Sequence, residues 1–195
     1  MAAVDRYSAN SLRRLLGSVN SVTFKDETGE VEYFGQKIVM LRRDAFQLLG
    51  EELAKRHASG TGNIILGIVG RRVGTEEGKA LASGVLEDAG DSRSLPTLIR
   101  NAVEETNMGY GKIQVVELDL SSKTATLSTS NSFEADTTTP SGETACFFLL
   151  GYLEGLFSEL LGTQLRGSET LCREKGDSAC VFQVEPNFQK TKWKI

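Results

Sequence analysis

Residues 143–186 read ETACFFLLGYLEGLFSELLGTQLRGSETLCREKGDSACVFQVEP, and the fold turns on them. The first half is apolar nearly all the way round a helical wheel, so a helix over 143–161 should be buried on most sides. Residues 164–173 and 179–185 then read as a hairpin whose loop, Lys175-Gly176-Asp177, is centred on the glycine. That loop would set Cys172 opposite Cys180, with both thiols on one face. Cys146 falls in the first helical turn, after Ser141 and Thr144, either of which could cap it, and a helix N-terminus favours thiolate. With Glu169 these three cysteines form a donor set suited to a closed, tetrahedral Zn²⁺ site. Glu169 lies three residues before Cys172, an offset that on a regular strand points to the opposite face, so its participation requires a bulge. The alternative is three buried cysteines acting as small apolar side chains beside a solvent-facing glutamate, since the spacing matches no paired C-x-x-C pattern.

Working outward, residues 123–130 and 111–119 alternate like an antiparallel pair, and Leu95 to Thr106 reads as a helix with Pro96 in its first turn. The segment from Asn63 to Leu86 has a helical pattern containing Gly67, Gly70, Gly74 and Gly78, each costing up to about 1 kcal/mol relative to alanine. Their spacing puts them near one face, where another backbone or a ligand can approach. Phe46 to Ala54 forms a further helix ending at the Gly60-Thr61-Gly62 break, and residues 30–41 read as two strands about a Phe34-Gly35-Gln36 turn. Leu12, Leu15, Leu16 and Val19 mark a short amphipathic helix over 8–20. The expected organisation is an N-terminal helix and extension over 1–29, an α+β domain over 30–186 and a basic tail over 187–195.

A chain of 195 residues with 39% apolar and 25% charged residues has ordinary globular composition, and its net charge of −4 gives no general attraction to nucleic acid. The longest apolar run, Ala145 to Leu153, is too short for a membrane span, and the N-terminus lacks a secretory pattern, so a cytoplasmic protein is expected. Three cysteines, an odd number, do not make a disulfide framework. His57 reads as a helix-end cation rather than a catalytic base, and no Ser/His/Asp set, phosphate loop or dinucleotide fingerprint is present. The lysines beside Trp193 read as a solvated end.

A cysteine opening a helix, a Gly-Tyr pair on that helix (Gly151-Tyr152), Glu169-x-x-Cys172 and Cys180 after a glycine turn together resemble the C-terminal half of the 4-vinyl-reductase (4VR) domain family. Relatives of that family include the aromatic-sensing N-terminal domains of bacterial transcription activators, and more widely the TRAPP subunits of vesicle tethering. The resemblance implies an α+β fold of the TRAPP-subunit-like, NO-signalling-type ligand-binding kind, with a small antiparallel sheet packed on helices. It also implies Cys146, Glu169, Cys172 and Cys180 as ligands of a structural zinc beside a closed small-molecule pocket. No ATPase or DNA-binding segment is recognised within these residues, so direct transcription activation is not among the expectations. Neither His57 nor Trp193 falls where phenol-sensing relatives orient a hydroxyl, so phenol is not the expected ligand.

The function expected on these grounds is a non-enzymatic sensor or carrier of an apolar or aromatic small molecule. Leu150, Leu153 and Phe157, at i, i+3, i+7, would line the cavity or simply pack the core, and Tyr152 and Tyr110 could orient a ligand. A homodimer through the glycine-lined helices is the expected assembly. Two alternatives stand beside this reading: a reductase or accessory protein acting on tetrapyrrole vinyl groups, and a tethering or scaffold subunit.

Overall fold

The computed structural model describes residues 22–33, 36–42, 44–56, 60–88, 94–105, 109–135 and 142–187. The expected N-terminal helix, the turn at Phe34-Gly35, His57 and the basic tail lie outside them. Three short strands come first: β1 (Val22–Lys25), β2 (Glu30–Tyr33) and β3 (Gln36–Ile38), paired antiparallel in that order. β1 was not expected; it pairs with β2 across a turn closed by Gly29, whose φ is +66°. Then follow α1 (Asp44–Arg56), α2 (Thr61–Asp88) and α3 (Leu95–Glu105). Thr61 and Gly62, expected as a break, already belong to α2.

β4 (Ile113–Asp119) and β5 (Thr124–Thr129) form the expected antiparallel pair. α4 (Phe147–Leu160) and the strands β6 (Leu165–Leu171) and β7 (Cys180–Pro186) complete the domain. The second sheet is antiparallel throughout, in the order β4-β5-β7-β6. α4 lies between this sheet and α2, while α3 packs on β4. Its burial follows from its composition: Leu149, Leu153 and Phe157 are fully enclosed, with Leu127 and Phe182 of the sheet in the same core.

The glycines of α2 face α4. A Cβ on Gly70 or Gly74 would run into the backbone carbonyls of Phe148 or Tyr152, and one on Gly78 would sit 2.8 Å from Leu156 O. Gly151 and Gly155 answer from α4 against Gly67 O and Arg71 O. The helices therefore touch backbone to backbone, and removing side chains from the seam repays the helix-propensity cost of the glycines. The surface expected to carry a dimer is thus occupied by the chain's own α4. At one margin of the seam Glu154, buried on α4, accepts hydrogen bonds from Arg71 of α2 and from Gly167 N of β6 (2.6 Å), tying three elements together.

Candidate metal centre

Cys146, Glu169, Cys172 and Cys180 converge where α4 begins and the β6–β7 hairpin turns back. One ligand atom from each lies within 4.8 Å of all the others. The three cysteines have no exposed surface. Tetrahedral Zn²⁺ with thiolates at about 2.3 Å places its sulfurs ~3.8 Å apart, and the Cys146 and Cys180 sulfurs stand 3.5 Å apart. Glu169 Oε1 is buried without a hydrogen-bond partner, while Oε2 accepts the Cys146 N–H at 3.3 Å. A buried carboxylate oxygen without a hydrogen-bond partner, set among three thiols, is a donor set that fits zinc.

Local structure accounts for each position. Glu169 keeps the inward face of Leu165 and Gly167, and the register shift between Glu169 and Leu171 turns Leu171 outward and brings Cys172 round to the face of Glu169. β6 ends at Leu171, opposite Val181, and the same register carried one residue on sets the still-extended Cys172 opposite Cys180, as expected, just beyond the ladder. Cys172 then heads a 3₁₀ turn, Arg173–Lys175, which Gly176 closes at φ +98°. Asp177 fixes that turn: its Oδ2 accepts Cys172 N–H at 2.8 Å, and its own N–H reaches Cys172 O at 3.3 Å. Cys180 opens β7, paired there with Thr129 of β5.

The helix starts later than the expected residue 143, and Cys146 occupies the N-cap position itself without a side-chain cap. Thr144 is not the cap, and Ser141 lies outside the described residues. The capping acceptor is Glu134, whose two carboxylate oxygens take Phe148 N–H at 2.9 Å and Leu149 N–H at 2.8 Å. Burial pushes the Glu134 carboxyl up to about 8 against these two hydrogen bonds. Sequence reasoning missed Glu134, Asp177 and Ser132, whose hydroxyl lies 3.2 Å from Cys146 Sγ. The available signal was a Ser-x-Glu pair ahead of an apolar helix, read only as part of a polar leader.

The thiols hold their protons unequally. Cys146 hydrogen-bonds to the Cys180 sulfur, which raises Cys146 and lowers Cys180; burial adds to the rise, and Arg173 N–H, 3.4 Å from Cys180, to the fall. Burial pushes the Cys172 thiol up to about 11, with the Glu169 carboxylate adding to the rise. A cation at the centre would displace these protons.

The residues expected to line a pocket do not share one face. Leu150, Leu153 and Phe157 lie along one side of α4, and a Cβ on Gly167 of β6 would come within 2.7 Å of Leu150 Cδ1. Tyr152 points elsewhere, its ring 5.0 Å from that of Tyr110 at the edge of a cluster with Phe46, Phe133 and Phe148. The rings pack mostly edge to face at centroid distances of 4.9–5.7 Å.

The V4R domain family model matches residues 126–186, a span that holds all four candidate ligands. The likeness to that family is borne out over this part of the chain. No curated protein matches. Among solved structures, the phenol-responsive sensory domain of the transcription activator PoxR, with phenol, superposes at a TM-score of 0.66 and 17% identity, over 92% of each chain. A trafficking protein particle complex subunit 3 from Naegleria fowleri, covalently bound to palmitic acid, gives 0.52 at 11% identity over 74% of this chain and 92% of that one. A vinyl-4-reductase family protein from Methanocaldococcus jannaschii gives 0.44 at 18% identity over 76% and 83%. The first two share this chain's α+β fold.

Proposed function

We propose that the protein is a non-enzymatic sensor or carrier of an apolar or aromatic small molecule, built round a structural zinc held by Cys146, Glu169, Cys172 and Cys180. The observation that carries the reading is the convergence of these four donors, one with an orphaned oxygen, inside a fold shared with a phenol-responsive sensory domain. Four protein ligands leave the metal no open position, so its role is mechanical. It ties the start of α4 to the β6–β7 turn, and a ligand packed along Leu150, Leu153 and Phe157 would bear on both, with Tyr152 on the far side of the helix. The reading includes a reducing cytoplasmic setting, which keeps the thiols available, and assembly as a homodimer.

Plasma mass spectrometry of untagged protein, together with native mass spectrometry, tests it. One zinc per chain and a retained organic mass are expected; protein purified without chelators that carries no metal would overturn the centre. Cys172→Ser should lower melting temperature and metal content together, and unchanged metal stoichiometry in that variant would remove Cys172 from the ligand set.

A further inference from the structure

The amides at the start of α4 already have acceptors. Cys146 N–H goes to Glu169 Oε2 at 3.3 Å, Phe147 N–H to Ala145 O at 2.9 Å, and Phe148 and Leu149 N–H to the two Glu134 oxygens at 2.9 and 2.8 Å. Leu150 N–H closes the first helical bond, on Cys146 O. A thiol at a helix N-terminus ordinarily gains from such N–H groups, which is why the sequence points to a thiolate at Cys146. In the folded chain those groups are spent elsewhere. What stands beside the Cys146 sulfur is the hydroxyl of Ser132, 3.2 Å away, on a residue only 1% exposed.

The direction of that contact depends on the metal. With the thiol protonated, Cys146 donates to Ser132 Oγ. A metal-bound thiolate has no proton to give, so the contact survives only if the hydroxyl turns to donate to sulfur. Ser132 Oγ also accepts Glu134 N–H at 3.3 Å, an arrangement in which the hydroxyl proton can point at the sulfur. The segment carrying Ser132 is pinned from both sides. Arg173 sends its guanidinium to Ser130 O at 2.5 Å and to Asn131 Oδ1 at 3.1 Å, and Phe133 N–H reaches Tyr110 O at 3.2 Å.

Charge makes such a donor matter. Three thiolates and a carboxylate on a dication leave a net charge of −2 in a buried site, and burying it without hydrogen bonds to the sulfurs is costly. The other two sulfurs have backbone donors: Arg173 N–H lies 3.4 Å from Cys180, and the Ala145 and Glu174 backbones work against burial at Cys172. We propose that Ser132 is the positioning residue for Cys146, its hydroxyl donating to the metal-bound thiolate in place of the helix amides. The proposal rests on the metal reading above and adds to it a residue outside the four ligands. With Ser132 included, each of the three sulfurs has a hydrogen-bond donor.

Cobalt(II) titration of the metal-free full chain, followed by zinc competition, tests the assignment, because thiolate-to-cobalt charge-transfer bands report on the sulfurs themselves. Ser132→Ala should weaken zinc about 10–100-fold and move those bands to longer wavelength, since a sulfur without its hydrogen bond gives up electrons more readily. Ser132→Thr, which keeps the hydroxyl, should restore both. In wild-type protein loaded with an NMR-active isotope of cadmium, the metal should couple through N–H···S to the Arg173 amide and not to the amides of residues 147–149. Affinity and bands unchanged in the alanine variant would overturn the proposal. Weaker binding with unmoved bands would overturn it too, by making Ser132 a packing residue, and so would cadmium coupling to an amide of α4. A wild-type chain that takes up no cobalt, or takes it up without charge-transfer bands, would instead sink the metal reading and this inference with it.

Discussion

Glu77 on α2 turns inward beside the aromatic cluster and accepts a hydrogen bond from Tyr152. Burial pushes its carboxyl up to about 7 from an ordinary 4.5, with that hydrogen bond opposing. Burial likewise raises Tyr110 to about 12, and the Glu77 charge adds to the rise. The folded protein therefore binds the Glu77 proton more tightly than the unfolded chain. The stabilisation is complete below about pH 4.5 and is lost as pH rises through 7. Glu77→Gln keeps the hydrogen-bond acceptor but does not titrate. Between pH 5 and pH 8 the wild type should lose about 2 kcal/mol relative to this variant in urea melts. Comparing the two proteins at each pH cancels any loss of metal in acid, since both carry the same centre. Parallel stability curves would mean that Glu77 stays ionised and solvated.

The α2–α4 pair poses a sharper question of geometry at the scale of elements. Gly67 and Gly74 lie on one helix face, yet a Cβ at 67 would meet Phe147 O at an ordinary 3.5 Å, while one at 74 would collide with the Tyr152 backbone. Gly74→Ala should cost about 2–3 kcal/mol, because a backbone carbonyl within a packed helix cannot step aside. Gly67→Ala should be neutral or gain up to about 1 kcal/mol from helix propensity. Equal effects in thermal melts would refute the backbone contact. The glycine spacing made this seam legible in the sequence, since a run of glycines in an otherwise good helix requires compensation. The β6–β7 hairpin was legible from alternation and its glycine turn. The helix start was not, because its cap is Glu134, more than ten residues upstream, and local patterns carry no trace of a cap delivered by tertiary packing. β1, no shorter than β2, escaped although Val22 and Phe24 alternate in sequence ahead of the turn that Gly29 closes. Of the centre, the four donors could be named from their chemistry and from resemblance, and the register of Cys172 against Cys180 from the Gly176 turn. The irregularity at Thr170 that puts Glu169 and Cys172 on one face, and the Asp177 hydrogen bond that fixes the turn, left no local pattern.

At the scale of the whole molecule, the glycine seam and the proposed metal centre lie in different places. The glycine seam joins α2 to α4 along much of their length, while the proposed metal centre would join only the start of α4 to the end of β6 and the 172–180 turn. They share no residue, so losing the metal should loosen one end of the domain without separating the helices. Stripping metal with a chelator at neutral pH should therefore lower the melting temperature by about 10 °C, the size expected when a ligand present at roughly a thousand times its dissociation constant is lost from a domain of this length. Amide exchange should quicken over residues 172–180 and in the first turn of α4, where burial now surrounds protons on three thiols rather than a cation. It should stay slow through Gly151 and Gly155, whose protection comes from α2. Far-ultraviolet circular dichroism should change little. If metal is stripped while melting temperature and exchange both hold, the cysteines act through packing alone; if the helices unfold as well, the centre supports the entire core, and a local clip is the wrong description of it.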